Sequence, residues 1–195
     1  MDLFSLTALE ICEGQQMDME FEQRNDVTAE EYLEMIRLKT AVLLAASLKI
    51  GARLGGASVE DADRLYDFGM HIGVAFQLKD DLLDVYGNAK VFGKNIGGDI
   101  LCNKKTYMLI KALEHANADQ HNQLNSWINA ETFQPAEKIA AVTELYDRIG
   151  VKAVCENKIL EYSNRAMESL AAVSIAEEKK EELKKIIENL IHREV

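Results

Sequence analysis

The sequence predicts an all-α protein, a single helical bundle that covers residues 1–195. Of these residues 48% are hydrophobic and only one is a proline, so the chain can fill one core and form long uninterrupted helices. Apolar side chains recur at helical spacing along nearly the whole chain. No segment shows the sustained alternation of apolar and polar residues that is typical of a half-buried strand.

The first three helices are predicted at residues 1–23, 28–50 and 58–86. Thr28 and Glu31 have the spacing of a capping box, in which each side chain bonds the backbone N–H of the other residue. Ser58 stands at the equivalent place before the third helix. Glycine turns are expected to end the second and third helices.

The remaining helices are predicted from caps and helix breakers in the second half of the chain. One helix is expected at 101–116, and a short one around Trp127. Pro135 suits the first turn of the next helix, which Gly150 interrupts. A third capping box that begins at Ser174 is expected to start the last, charged helix.

Charge and composition disfavour several classes of function. The formal net charge is −11, whereas nucleic-acid binding through phosphates needs a basic face. No run approaches the roughly 20 apolar residues of a membrane span. The three cysteines form no C-x-x-C pair, and we interpret them as reduced thiols of a cytoplasmic protein.

Four polar side chains form a stripe on the third predicted helix. Gln77, Asp80, Asp81 and Asp84 stand at i, i+3, i+4 and i+7, which places them on one helical face. The three carboxylates repel each other, but such oxygen ligands suit Mg²⁺, which binds one or two carboxylates together with substrate phosphates. The alternative is an ordinary solvent-facing stripe of an amphipathic helix.

Two glycines on the same helix favour the metal-binding interpretation. Gly69 and Gly73 each cost about 1 kcal/mol relative to alanine, so they indicate close packing against another helix. A helix that packs in this way is central. Its polar stripe would then face a cavity rather than bulk water.

Three lysines are candidate phosphate ligands. Lys39 lies within the second predicted helix, Lys94 in a glycine-containing loop, and Lys104 near the start of a helix. A lysine is a compact positive charge suited to phosphate, and glycines let backbone N–H groups approach an anion. Each element alone is weak, because a lone lysine such as Lys39 is more often a surface residue.

Together, four segments resemble the trans-isoprenyl diphosphate synthases, the family of farnesyl and geranylgeranyl diphosphate synthases. Residues 76–84 resemble the family's second aspartate-rich motif, F-Q-x-x-D-D-x-x-D. The other three similarities are to its G-Q-x-x-D segment (Gln15, Asp18), its K-T pair (Lys39, Thr40) and its phosphate-binding stretch (92–104). The four occur in the family's order and approximate spacing.

The resemblance implies a bundle of the isoprenoid synthase type and a prenyltransferase of the geranyl or farnesyl transferase type, acting in isoprenoid biosynthesis. In that reaction Mg²⁺ and basic residues stabilise the diphosphate that leaves an allylic prenyl diphosphate. The double bond of isopentenyl diphosphate then attacks the allylic cation. A proton is finally lost, to the released diphosphate.

The resemblance also implies a role for each matching position. These positions divide into metal ligands (Asp80, Asp81, Asp84), residues at the ionising centre (Lys39, Thr40, Gln77) and further substrate-binding residues (Gln15, Asp18, Lys94, Lys104). Within the first group, Asp80 and Asp84 would coordinate Mg²⁺ and Asp81 would be a close supporting acid. Lys39 and Lys94 would contact the allylic diphosphate.

The sequence departs from the family in lacking its first aspartate-rich motif and the arginine pair that follows. Residues 80–84 are the only D-D-x-x-D match in the chain. We therefore expect an N-terminally truncated bundle, a fragment of a full enzyme that is inactive alone. The alternatives are a non-catalytic regulatory subunit of a heteromeric synthase, and a decayed homologue or unrelated acidic helical protein. Exposed apolar surface is expected to favour homodimerisation.

Overall fold

The computed structural model describes residues 2–87 and 96–191, and every regular element within them is helical, which confirms the predicted fold class. The helices in chain order are α1 (Leu3–Phe21), α2 (Ala29–Ile36), α3 (Val42–Leu54), α4 (Val59–Tyr86), α5 (Gly98–Leu101), α6 (Tyr107–His115), α7 (Ala118–Ile128), α8 (Pro135–Ile149), α9 (Val151–Ala171) and α10 (Glu181–Ile191). None of these helices is long and apolar enough to cross a lipid bilayer.

Helices α2 and α3 are joined without a break by a π-turn, Arg37–Ala41, in which the Val42 N–H donates to the Arg37 carbonyl. The predicted second helix is therefore one continuous rod, but its regular α-helical pattern is interrupted where Lys39 and Thr40 lie. Gly51 does not end this helix, because it stands in open space and a single glycine is tolerated there. The helix ends at Gly55 instead.

Two of the three predicted caps are present. The Thr28 hydroxyl accepts from the Glu31 N–H at 3.2 Å, and the Glu31 carboxylate accepts from the Thr28 N–H at 2.9 Å. Ser58 caps α4 by accepting from the Asp61 N–H at 3.0 Å. Each bond satisfies a backbone donor that would otherwise have no partner in the first turn.

The third predicted capping box is wrong. The Ser174 N–H donates to Asp61 Oδ1 at 2.8 Å, and its hydroxyl accepts from Arg64 at 3.2 Å. Ser174 therefore ties this turn to the start of α4. A short 3₁₀ helix, Glu177–Lys179, follows without a side-chain cap.

The predicted helix at 101–116 is two helices, α5 and α6. Between them Asn103 has a φ of 51°, a left-handed conformation that asparagine tolerates better than most residues. Its side chain holds the turn, because Nδ2 donates to the Ile128 carbonyl at 3.0 Å and Oδ1 accepts from Lys138 at 2.7 Å. The Thr106 hydroxyl then caps α6.

Helix α4 is central and packs between α3 and α9. An added Cβ at Gly69 would lie 2.7 Å from Ala45 Cα, and one at Gly73 would lie 2.6 Å from Ala41 Cα. Only glycine permits this approach of two backbones, so the predicted close packing of α4 is confirmed. The opposite side of α4 packs on α9, where residues such as Ile159 and Ala166 are buried.

The C-terminal half of the chain also follows its predicted pattern in two places. Pro135 occupies the first turn of α8, and Gly150 separates α8 from α9 with a φ of 84°. The short helix expected around Trp127 is α7. Tyr86, the last residue of α4, donates to Asp147 of α8 at 2.7 Å.

Candidate active site

The candidate site lies where α1, the π-turn and the second half of α4 meet. A narrow cavity of about 20 Å³ there is lined by residues from separate parts of the chain, namely Asp18, Tyr32, Met35, Ile36, Lys39, Gln77 and Lys104. Four of them were predicted as site residues from the sequence. The fold therefore brings together motifs that are separated by up to 86 positions.

Gly14 sets the distance between α1 and the π-turn. An added Cβ at Gly14 would lie 2.4 Å from the backbone N of Lys39, so the two segments are in direct backbone contact. One helical turn later, Asp18 Oδ2 accepts from Lys39 Nζ at 2.5 Å. Gln15, by contrast, is exposed on α1 and does not line the cavity.

Thr40 and Gln77 are joined directly across the π-turn and α4. The Thr40 hydroxyl donates to Gln77 Oε1 at 3.3 Å, and Gln77 Nε2 donates to Asp81 Oδ1 at 3.1 Å. The other oxygen of Asp81, Oδ2, accepts from the Tyr32 hydroxyl. Asp81 is thus an internal member of a hydrogen-bond network that runs from α2 to α4.

The three aspartates of the stripe have two different environments. Asp81 is 3% exposed, whereas Asp80 and Asp84 are partly accessible on the same face of α4. Burial raises the pKa of Asp81 to about 7, against the opposing effects of Lys104 and the Tyr32 hydrogen bond. Asp84 Oδ2 accepts from the Asp99 N–H at 3.0 Å.

Lys104 enters the site from the turn between α5 and α6. Its Nζ lies 3.5 Å from Asp99 Oδ1. Burial acts to lower the pKa of Lys104, but the carboxylates of Asp81, Asp99 and Asp18 outweigh it and raise that pKa. The lysine is therefore held as a cation among carboxylates. Lys94 lies outside the described residues.

Metal binding at the site depends on its donor groups. In residues 2–87 and 96–191, no three histidine, cysteine or acidic side chains are grouped closely enough to hold an ion by themselves. Asp80 and Asp84 stand one turn apart with accessible carboxylates, which suits an ion that completes its shell with water and phosphate oxygens. Both oxygens of Asp81 already accept hydrogen bonds.

An apolar groove of about 940 Å³ begins at Lys39 and Thr40 and runs between α3, α4 and α10. Its walls are mainly leucine, isoleucine and phenylalanine side chains, including Leu44, Ile72 and Ile186. Phe76, at the start of the second aspartate-rich motif, is 40% exposed. A polar, charged centre therefore opens directly onto a long apolar surface.

Two contributors to the site were missed from the sequence. Tyr32 lies at a helical position that is typical of core residues, and its partner Asp81 is 49 positions away. Asp99 lies within the stretch 92–104 that resembles the family's phosphate-binding segment, but no role of its own was predicted for it. The one available signal concerned Tyr32, because a buried tyrosine hydroxyl usually has a hydrogen-bond partner.

The sequence and the geometry together define a class of protein. The family model for polyprenyl synthetase matches residues 1–146, so the chain belongs to the polyprenyl synthetase family. This confirms the resemblance that the four motifs indicated.

Individual relatives give the same result. The chain is 38% identical over 188 residues to a short chain isoprenyl diphosphate synthase of Methanothermobacter thermautotrophicus, a match that covers 96% of this chain and 57% of the relative. It is 52% identical over 114 residues to a geranylgeranyl diphosphate synthase of Methanosarcina mazei, covering 58% of this chain and 35% of that protein.

Solved structures share the fold. A geranylgeranyl pyrophosphate synthase superimposes with a TM-score of 0.92 at 39% identity, covering 98% of this chain and 59% of that one. The enzyme of that name from Corynebacterium glutamicum, complexed with isoprenyl diphosphate and magnesium, superimposes with a TM-score of 0.89 at 30% identity, covering 98% and 54%. The chain thus spans little more than half the length of these proteins.

Proposed function

We propose that this chain forms the second aspartate-rich half of a trans-prenyltransferase site, which joins an allylic prenyl diphosphate to isopentenyl diphosphate. The observation that carries the proposal is that Lys39 lines both the small cavity, together with Gln77 and Lys104, and the apolar groove, where Thr40 lies beside it. Such a site offers cations for a diphosphate and an apolar surface for the prenyl chain. The names of the relatives favour a geranylgeranyl-type product over the geranyl or farnesyl type.

Mg²⁺ would be held by Asp80 and Asp84, with Asp81 as the supporting acid behind them. The ion would neutralise the negative charge that develops on the leaving diphosphate. The accessible carboxylates of Asp80 and Asp84 support this assignment, because Mg²⁺ keeps several waters and uses few protein ligands. This arrangement also explains why a helix carries like charges at i and i+4.

Lysines of the chain would bind the phosphate oxygens. Lys39 is paired with Asp18 and Lys104 with Asp99, so a diphosphate would take over these cations from their carboxylates. Lys94 is the other lysine that, with Lys39, is assigned to the allylic diphosphate. A cation held in place before the substrate arrives needs little reorganisation when charge develops on the leaving group.

The reaction would break the allylic C–O bond, with the electron pair leaving on the diphosphate. Thr40 and Gln77 stand beside the lysines and would face the electron-poor allylic carbon. The π electrons of isopentenyl diphosphate form the new C–C bond, and a proton passes to the released diphosphate. The apolar groove would take up the prenyl chain and exclude water from the cation.

We further propose that the site is completed by residues outside the described part of the chain or on a partner. The chain spans 57% of the Methanothermobacter relative and 59% of one solved structure, and its groove is open to solvent. The same two observations favour a second candidate function, a regulatory subunit within a heteromeric synthase. A homodimer remains our prediction, since exposed apolar groups such as Phe4 and Leu54 need cover.

Calorimetric titration with geranyl diphosphate, with and without Mg²⁺, tests the proposed function. The wild-type chain should bind in a Mg²⁺-dependent way, and Asp80→Asn should lose that dependence. Asp67→Asn is the matched control, because Asp67 is an exposed aspartate on the same helix and lies outside the site. Unchanged Mg²⁺-dependent affinity in Asp80→Asn would show that the stripe is only a solvated face.

Adding isopentenyl diphosphate separates the two candidate functions. A chain that completes its site with a second copy should turn over when concentrated enough to dimerise. A regulatory subunit should bind a diphosphate without turnover and change the activity of a separate synthase. Turnover by the monomer at the rate of a full-length enzyme would contradict the proposed incompleteness.

A further inference from the structure

The pair formed by Tyr32 and Asp81 is buried, and Tyr32 lines the small cavity of the proposed site. Tyr32 is 1% exposed on α2 and Asp81 is 3% exposed on α4. The Tyr32 hydroxyl donates to Asp81 Oδ2, which leaves Oδ1 to accept from Gln77 Nε2 at 3.1 Å. Both oxygens of a buried carboxylate are thereby satisfied by named donors, as a buried acid requires.

This pair fixes which way round the Gln77 amide lies. A carboxylate only accepts hydrogen bonds, so the amide must turn its NH₂ group toward Asp81 and its oxygen away. A proton shared between Asp81 Oδ2 and Tyr32 would leave that orientation unchanged. Gln77 Oε1 then faces Thr40, whose hydroxyl donates to it at 3.3 Å.

The orientation of Gln77 decides in turn what Thr40 offers to the groove. With its proton directed at Gln77, the Thr40 hydroxyl presents oxygen lone pairs to the groove that it lines. If the amide were reversed, its NH₂ group would donate to Thr40 Oγ1 and release the hydroxyl proton toward the groove. In the first arrangement the Thr40 hydroxyl presents oxygen lone pairs to the groove, and in the second it presents its proton.

We propose that Tyr32 is a positioning residue that acts through Asp81 and the Gln77 amide to hold the Thr40 oxygen toward a positively charged group in the groove. The identity of that group, the allylic carbon as its C–O bond breaks, rests on the proposed function. The positioning role itself does not. Tyr32 does not line the groove itself. Its effect passes through three hydrogen bonds from α2 to the π-turn.

The Tyr32→Phe variant removes the hydroxyl and keeps the ring that fills the core. Tyr86→Phe is the matched control, because Tyr86 also donates to an aspartate, Asp147, at 2.7 Å but on the outer side of α4. The direct readout is the side-chain amide resonance of Gln77 in the ¹⁵N-labelled full chain. The Gln77 amide protons should exchange slowly with water in the wild type and in Tyr86→Phe, and faster in Tyr32→Phe.

Two probes distinguish positioning from a structural role. An ammonium analogue of an allylic cation should bind Tyr32→Phe roughly three- to tenfold more weakly, as expected for one lost hydrogen bond in a chain. Inorganic diphosphate with Mg²⁺ should bind it less than about twofold more weakly, since the lysines and Asp80 are untouched. Equal weakening of both probes, or an unchanged Gln77 resonance, would overturn the proposal.

Asp81→Asn keeps the result decisive if Tyr32→Phe folds poorly. The asparagine Oδ1 can still accept from Tyr32, but its NH₂ group faces Gln77 and should reverse that amide. Contacts between the Gln77 NH₂ protons and the Thr40 methyl group would report the reversal, and their absence would overturn the proposal. If the wild type binds neither probe, the proposed function fails, whereas the Gln77 readout still tests the orientation.

Discussion

The two halves of α4 form one uninterrupted helix but differ in their contacts. The first half carries Gly69 and Gly73, whose missing side chains let the backbone lie against Ala45 and Ala41. The second half carries Gln77 to Asp84, where the carboxylates accept from the Gln77 amide and from the Asp99 N–H. A half whose backbone packs tightly against its neighbour thus anchors a half whose charges would be unfavourable on a mobile helix.

The costs accepted in each half differ in kind. Each glycine in the first half costs about 1 kcal/mol in helix propensity, which close packing offsets. The like charges in the second half cost a few tenths of a kcal/mol per pair, and the Tyr32 hydroxyl and the Asp99 N–H each bind one of them. Substitutions should therefore affect stability in the first half and ligand binding in the second.

The largest effect is expected for Gly73→Leu. Its Cβ would meet the backbone of Ala41 at 2.6 Å, so α3 and α4 must separate, at a cost of about 3 kcal/mol or more. The control Gly51→Leu places the same side chain in open space on α3 and should stabilise the chain by up to about 1 kcal/mol. Urea unfolding measures both, and a stable Gly73→Leu would refute the close contact.

The second largest effect is expected for Asp84→Ala, in the other half. Mg²⁺-dependent affinity for geranyl diphosphate should fall roughly tenfold or more, because a proposed ligand is lost. Stability should fall by only about 1 kcal/mol, for the lost hydrogen bond from the Asp99 N–H. Calorimetry and urea unfolding on the same variant give both numbers. If the free energy of unfolding fell by more than the free energy of binding, the second half of α4 would have a packing role as well as a binding role.

A smaller effect is expected for Lys39→Ala. Lys39 and Lys49 each pair with an aspartate at 2.5 Å and are similarly exposed, but only Lys39 lies in the site. Losing either surface pair should cost about 1 kcal/mol or less. Only Lys39→Ala should weaken diphosphate binding, by several-fold, and equal binding by the two variants would remove Lys39 from the proposed phosphate ligands.

The smallest effect is a pH dependence of stability from His71, in the first half of α4. Burial lowers the pKa of His71, so the unfolded chain binds a proton more readily than the folded one below the ordinary value of 6.5. The contribution of neutral His71 is therefore present above that value and is lost as the pH falls below it. In His71→Gln the unfolding free energy should change less with pH than in the wild type. An unchanged dependence on pH would assign the effect to other groups.

The helices could be predicted from the sequence where local signals and packing agree. Thr28, Ser58 and Pro135 mark helix starts through bonds within a few residues, which the sequence displays directly. Ser174 has the same local pattern, but contacts with Asp61 and Arg64 take its polar groups. Long-range contacts of this kind leave no trace in local spacing.

The candidate site shows the same division. Lys39, Thr40 and Gln77 were predicted from motifs, and they lie together in the structure. Tyr32 could not be predicted, because a tyrosine among apolar residues is typical of a core position and nothing in the sequence pairs it with Asp81. The environment of Asp81 also depends on burial, which motif spacing does not reveal.

The π-turn between α2 and α3 is a part of the site that could be removed without losing the helix. A π-turn contains one residue more than the α-helical turn it replaces. Deleting one residue from Arg37–Ala41 should therefore restore a regular α-helix and leave the flanking faces in nearly the same orientation. The fold should tolerate that loss, whereas the site should not, because Lys39 and Thr40 lie in this turn.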